Sequence, residues 1–307
     1  MANLRDIRNR IESIRNTQQV TRAMKMVAAA KLRRAQERIF STRPYAYRLG
    51  AVISRLKEQL DATEHPLLQE REETRSILFI VVTADRGLAG AFNANIVKEA
   101  EQAMAAYEAV RKAGNLHVLA AGRKGHDHFT RRGYKMVGDF RGIFDRIEVD
   151  TARKIVEQAV DGYLNGSWDE VKIVYNEFRN TIAQNRVVEP FLPIPKKQFL
   201  TPIMEARGKG DAQADSDRTA GDSIFEPEAE SVLHELLPRY LHYQVWRVLL
   251  ESNAAEQGAR MVAMDNATSN AEEFLRNLKL KYNRARQSAI TTEIIEIVSG
   301  ANALEAG

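Results

Sequence analysis

Few residues in this chain have types and spacing that suggest chemistry. Asp85-Arg-Gly-Leu-Ala-Gly90 follows an apolar run and precedes a helical pattern. An α/β domain presents backbone N–H groups to phosphate at such a place. The segment carries Gly-x-x-Gly and not Gly-x-Gly-x-x-Gly, so a tight strand–helix turn is the expectation over a ligand loop. His126-Asp-His128 offers two imidazoles, but no third His, Cys or carboxylate stands at metal-ligand spacing. That leaves a solvent-exposed pair, and His234 and His242, eight apart on a helical stretch, read the same way. Gly208-Lys-Gly210 lacks the spacing of a Gly-x-x-x-x-Gly-Lys-Ser/Thr phosphate loop. Asp265, Glu272 and Glu273 read as solvated acids on a helix surface. No serine, histidine or carboxylate has neighbours that would make it a nucleophile or base. The chain has no cysteine, which removes thiolate chemistry and disulfides and fits a reducing compartment.

Charge is more informative than catalytic motifs. The net balance is only +4 over 307 residues. Met1 to Lys57, however, holds fourteen Lys and Arg against Asp6, Glu12 and Glu37. A block this basic calls for an acidic partner, whether nucleic acid, an anionic membrane or acidic protein loops. A second cluster, Arg276, Lys279, Lys281, Arg284 and Arg286, covers more than one face of a helix and is read as a partner contact. The Arg-rich start also permits a transit-peptide reading, which the helical pattern continuing beyond it argues against. No run of eighteen apolar residues is present to span a bilayer.

Two long terminal helices must position these charges. No proline occurs before Pro44 or after Pro238, and no glycine between Asn3 and Arg43. The first segment therefore allows a helix about 60 Å long. Leu4, Ile7, Ile11 and Ile14 form its seam, which weakens at Gln18, Thr21 and Lys25 before Met24, Met26 and Val27. Arg239 to Ser299 has one glycine, Gly258, and steps by three and four from Met261 and Met264 through Thr268, Ala271, Leu275, Leu278, Tyr282 and Ala285 to Ala289. The methionines are read as gap-filling core residues. Glu226-Pro227-Glu228 suits a helix start, and Pro238 suggests a kink or second start.

Between the helices, Ile77–Thr83, Leu116–Ala121 and Val171–Tyr175 read as buried strands. They alternate with helical stretches at Ile96–Lys112, beyond Ala121 to Arg132, and Thr151–Leu164, which implies a small parallel sheet closed off by Pro190, Pro193, Pro195 and Pro202. The expected fold is mixed α/β. A long antiparallel two-helix coiled coil from both chain termini (residues 1–60 and 227–307) brackets a Rossmann-like domain (75–200) and a flexible loop (205–223). The longer C-terminal helix should overhang its partner and leave Ile290, Ile294, Ile295, Ile297 and Val298 uncovered, as in an interface.

Three segments resemble the gamma subunit family of rotary, F-type, proton-translocating ATP synthases. They are Ile7 to Lys31, Thr83-Ala-Asp-Arg-Gly-Leu-Ala-Gly-Ala-Phe-Asn93, and Arg260-Met-Val-Ala-Met-Asp-Asn-Ala leading into Ile290 to Ala301. The resemblance covers almost the whole chain and is weakest from about Pro195 to Ser223. It implies a non-catalytic central rotor shaft with no cofactor, coupling proton-driven turning of a membrane proteolipid ring to changes in the catalytic head subunits. The implied partners are the catalytic and non-catalytic head subunits, an epsilon subunit and the proteolipid ring. The implied location is the cytoplasmic face of a bacterial membrane, peripheral within the complex. On matching positions it implies rotor–stator contacts at Met24, Lys25, Asp85, Arg86, Arg276, Lys279, Lys281, Arg286, Gln287, Thr291 and Glu293. It also implies a ring-facing foot at Phe225 and Glu226. Two alternatives stay open: a basic coiled-coil protein that binds nucleic acid, whose arm nonetheless lacks an aromatic before Phe40 for stacking, and an enzyme built on the Asp85–Gly90 turn.

Overall fold

The computed structural model describes residues 4–59, 65–195, 199–204 and 229–305. The expected loop at 205–223, the Glu226-Pro227 helix start and the foot residues Phe225 and Glu226 lie outside the described residues. In order, the elements are α1 (Leu4–Gln59), β1 (Ile77–Val82), α2 (Phe92–Ala105), α3 (Glu108–Lys112), β2 (Leu116–Ala121), α4 (Arg123–Arg131), β3 (Lys135–Met136), α5 (Val149–Leu164), β4 (Glu170–Phe178), β5 (Gln184–Leu192) and α6 (Ala229–Glu305). The chain divides into two compact units: residues 1–28 with 261–307, and residues 29–260.

The larger unit is built on a five-stranded sheet in the order β3-β2-β1-β4-β5. β1 pairs in parallel with β2 and β4, and β3 joins β2 in parallel. All six β1 residues are buried, which explains why this strand reads as an unbroken apolar run. Its side chains alternate between two cores. Ile77, Phe79 and Val81 pack with Ile96, Ala100 and Met104 of α2 and Phe129 of α4. Leu78, Ile80 and Val82 share a core with α5, with Leu49, Ile53 and Leu56 of α1, and with Leu237, Leu241 and Val245 of α6.

Three features depart from the sequence expectation. β5 is a strand that the proline-rich stretch concealed; it pairs antiparallel to β4, with Pro190 opposite Lys172. As the last strand of the sheet it tolerates a residue that cannot donate to a ladder. Both long helices run uninterrupted through their prolines, Pro44 and Pro238. Each proline occupies an exposed position, where packing of the buried face can outweigh the cost of the missing bond. Finally, the stretch from Ile96 to Lys112 breaks at Ala106–Tyr107 into two helices.

A buried ion pair fastens α6 to the far edge of the sheet. Arg247 Nη2 donates to Glu189 Oε1 and Oε2 at 2.9 and 2.7 Å, and Nη1 donates to the Tyr175 hydroxyl at 2.8 Å. Tyr175 in turn donates to Glu189 Oε2 at 2.9 Å, and Gln244 Nε2 to Oε1 at 2.6 Å. Burial opposes the Arg247 charge, yet Glu189 and Tyr175 outweigh it and hold the guanidinium pKa well above its usual value. Burial drives the Tyr175 phenol upward as well, so it stays a donor. One turn further along, Glu251 accepts the Phe178 N–H at 3.0 Å. Gly258 lets the helix close on the β4–β5 turn, since a Cβ there would stand 3.2 Å from the Thr181 carbonyl oxygen.

Removing one partner leaves a buried charge uncompensated, which typically costs about 3–5 kcal/mol, whereas replacing both by apolar groups is often near neutral. Arg247→Met alone and Glu189→Met alone should therefore each lower denaturant midpoints sharply, and the double variant should recover much of the loss. A double variant no better than the worse single would show that the pair is not an isolated electrostatic unit. Lys57 provides a pH test. Its ammonium donates to the Pro195 carbonyl at 2.9 Å, and burial lowers its pKa from 10.5 to about 8. Because the folded pKa lies below the unfolded one, the charged form costs stability below pH 8, and that cost disappears as pH rises to 10.5. Lys57→Met should raise Tm at pH 7 and raise it less at pH 10.5; an equal gain at both would assign the effect to packing alone.

Candidate functional site

In the larger unit, the turn after β1 is occupied by the chain's own groups. The Asp85 carboxylate accepts three backbone N–H bonds: from Arg123, the first residue of α4, at 2.8 Å, from Gly142 at 2.7 Å and from Phe144 at 2.9 Å. Asp85 thus takes the first N–H of α4, while those of Lys124 and Gly125 go to the Ala84 carbonyl and the Thr83 hydroxyl, so the helix-N-terminal donors that a phosphate would use are already engaged. Gly122, at φ +114°, lies so close to β1 that a Cβ would stand 2.2 Å from the Thr83 carbonyl oxygen. The turn serves as structure, and what it presents outward is Arg86 and Leu88. Arg86 meets Asp145 at 2.8 Å with both side chains largely exposed. Leu88 is 68% exposed and held at φ +63°, unusual for a branched residue. Arg260 Nη2 donates to the Gly87 carbonyl at 3.2 Å and pairs with Glu256 at 2.5 Å. Burial raises the Glu256 pKa and Arg260 opposes that rise.

The histidines belong to the scaffold. His128 is half-buried, not solvent-exposed as the sequence suggested, with Nε2 3.0 Å from Glu101 Oε1. His234 stacks edge-on against His65 at 5.5 Å between ring centroids. Burial lowers the pKa of His242. Among the described residues no group of three His, Cys, Asp or Glu is arranged to hold a metal ion.

In the smaller unit, α1 and α6 run antiparallel, and their polar seam residues meet one another. Gln18 Nε2 donates to Glu272 at 2.9 Å, the Thr21 and Thr268 hydroxyls lie 2.8 Å apart, and Lys25 Nζ donates to Asp265 at 2.6 Å. Arg8 donates to the Tyr282 hydroxyl at 3.0 Å. Asp265 and Glu272 are exposed, as expected from sequence, and in addition each is bonded across to α1. Thr21 and Thr268 are the weak seam positions that face each other, and Asp265 and Glu272 flank the α6 seam. Met24 is half-buried beside Lys25, and Met264 is buried, but Met26 is 63% exposed with Val20 and Val27 close to it in exposure. These three are exposed, and of them Met26 departs from the sequence reading, which assigned it to packing.

The remaining candidate residues lie on the exposed side and end of α6. Arg276, Lys279, Lys281, Arg284 and Arg286 are all exposed and form no ion pair among the described residues. The seam ends at Ala285; Ala289, expected to continue it, is exposed. Gln287, Thr291 and Glu293 are exposed, and the Thr291 hydroxyl donates back to the Gln287 carbonyl at 2.9 Å. Beyond them Ile290, Ile294, Ile295, Ile297 and Val298 are 47–65% exposed. The arrangement brings cations and apolar residues together on a rigid rod and assembles no catalytic constellation.

A family model described as ATP synthase matches residues 3–304. The chain is 60% identical over 306 residues to the ATP synthase gamma chain of Salinibacter ruber, covering 99% of each chain. It is 49% identical over 311 residues to that of Chloroherpeton thalassium, again covering 99% of each. Among solved structures it is similar to a chain of the central stalk and c-ring structure of Tetrahymena thermophila mitochondrial ATP synthase, with a TM-score of 0.56, 25% identity, and coverage of 81% of this chain and 99% of that one. A chain of the Euglena gracilis mitochondrial ATP synthase shares the fold with a TM-score of 0.63 at 19% identity, over 99% of this chain and 95% of that one.

The Lys25–Asp265 bond is partly exposed, at 40% and 53%, so it should contribute about 0.2–1 kcal/mol and weaken with salt. A double-mutant cycle of Lys25→Gln and Asp265→Asn, read as hydrogen-exchange protection over residues 261–285, should give a coupling in that range. Additive effects at low salt would show that the two side chains do not interact in solution.

Proposed function

The chain belongs to the ATP synthase gamma-chain family, and from that premise we propose that it is the non-catalytic rotor shaft of an F-type ATP synthase. In this reading it couples proton-driven rotation of a membrane ring to conformational change in the catalytic head subunits. The observation that carries the reading is the exposed side and end of α6, where five cations from Arg276 to Arg286 have no ion-pair partner among the described residues and a run of exposed isoleucines extends past the last seam residue. Cations on a turning shaft can meet equivalent acidic loops in succession, each contact weak and screened by solvent. Permanent strong contacts would lock it.

The proposed rotor–stator surface comprises Met24, Lys25, Arg276, Lys279, Lys281, Arg286, Gln287, Thr291 and Glu293, with Arg86 presented by the turn that Asp85 shapes. Lys25 holds Asp265 within the chain, so its share of any outside contact is smaller than that of the unpaired cations. Phe225 and Glu226 are proposed to face the proteolipid ring, a role resting on the resemblance of Phe225-Glu-Pro227 alone. An epsilon subunit completes the set of partners. No helix among the described residues is long and apolar enough to cross a membrane, which is compatible with peripheral attachment through the complex at the cytoplasmic face.

The test uses the assembled complex and the absence of native cysteine. Lys281→Cys, paired with a cysteine on the acidic loop of a catalytic subunit, should cross-link on oxidation and stop ATP turnover, and a reductant should restore it. Unchanged multi-turnover hydrolysis with the disulfide fully formed would refute the rotor role of α6.

A further inference from the structure

Within the larger unit, a cavity of ≈ 550 Å³ opens between α1, the segment leading into α5, and α6. Its size falls in the range of small-molecule sites, roughly 300–1,000 Å³. One wall is α1, which contributes Lys31, Arg34 and Arg38, spaced so that all three share one helix face. None of the three forms an ion pair among the described residues. The acids nearby are already engaged. Asp145 is held by Arg86 at 2.8 Å, Glu148 by Arg146 at 2.9 Å, and Glu256, which faces Lys31, by Arg260 at 2.5 Å. The rest of the lining is mixed: Phe144, Ile147 and the half-buried Trp246 of α6 are apolar, and Asp145, Glu148 and Asn253 are polar.

We propose that this cavity binds a phosphate-bearing aromatic anion of the nucleotide class, with its phosphates on Lys31, Arg34 and Arg38 and its ring against Trp246. Three cations along about 10 Å of helix exceed what a single carboxylate can engage, whereas two or three linked phosphates match them in number and reach. An inorganic polyphosphate would leave the apolar wall unused. The proposal uses neither the Asp85 carboxylate nor the cations and isoleucines of α6, so it stands whether or not the shaft reading does.

The purified full chain contains two tryptophans, Trp168 and Trp246. Trp168 is buried and packs against Gly162, so ligand-dependent fluorescence reports Trp246. ADP should quench it saturably at low salt. Arg34→Ala and Arg38→Ala should each weaken binding roughly tenfold or more, in line with loss of a charge-assisted bond, while Lys98→Ala should leave it unchanged. Both arginines are exposed, and circular dichroism should confirm that the variants fold. Pyrophosphate should compete with ADP without quenching, and Trp246→Phe should remove the signal while calorimetry still detects ADP. The proposal fails if millimolar ADP gives no saturable binding, or if affinity is the same in the Arg34 and Arg38 variants as in the parent. Adenosine binding as tightly as ADP would also overturn it, because the cations would then contribute nothing.

Discussion

Polar groups sit at three successive seam positions of α1, and each is answered by a polar group on α6: Gln18 by Glu272, Thr21 by Thr268, Lys25 by Asp265. An all-apolar seam slips in register at little cost, whereas a polar seam residue specifies register at some expense of stability. From Arg8 to Lys25 and from Tyr282 back to Asp265 the two helices advance by equal steps (8 to 25, 282 to 265). A shift of one turn would break all four of these bonds. With the register fixed, the point where α1 runs out along α6 is fixed too. Beyond Ala285 α6 is left exposed, and the uncovered isoleucines there follow from that single alignment, whereas four of the five cations lie on the exposed side of the paired stretch.

In the larger unit the decisive contact lies between α6 and β5. The Arg247–Glu189 pair is weak support for global stability, because its desolvation cancels much of its attraction. Its geometry is specific instead: a forked donor, a carboxylate and a phenol interlock in one arrangement. A purely apolar contact between a helix and a sheet edge resists rotation of the helix about its axis poorly. Gln244, Arg247 and Glu251 stand within two turns of α6, and each is bonded to β4 or β5. Since α6 is one unbroken helix from Ala229 to Glu305, a twist applied to its backbone reaches these bonds directly. That is the property the proposed function demands.

The sequence revealed the long helices and the parallel strands because their signals are local. Proline spacing, seam periodicity and the buried run of β1 need no knowledge of the rest of the chain. What it concealed depends on distant partners. β5 contains Pro190 and alternates imperfectly, so only its place at the sheet edge makes it a strand. Pro238 looked like a kink or second helix start because the packing that carries α6 through it comes from other elements. His128 looked exposed because Glu101 lies on α2. The cross-helix bonds of Asp265 and Glu272 were hidden because the residues that make them are some 250 positions away. The candidate cations of α6 were legible, since five within eleven residues exceed one helix face, but that they have no ion-pair partner among the described residues is a fact of the fold.

The turn at Asp85 shows how an α/β domain can keep the architecture of a phosphate site without its chemistry. A parallel sheet whose chain switches direction beside β1 leaves a crevice at the strand ends, and the N-terminus of α4 supplies unsatisfied donors there. Those donors must be satisfied by something. In a nucleotide-binding domain the ligand does so, and the free protein holds them ready for it. Here Asp85 bonds three of the nearby N–H groups permanently, and the approach of Gly122 to Thr83 fills the remaining space. The turn gains rigidity from being closed, and that rigidity holds Leu88 in a left-handed conformation with its side chain outward.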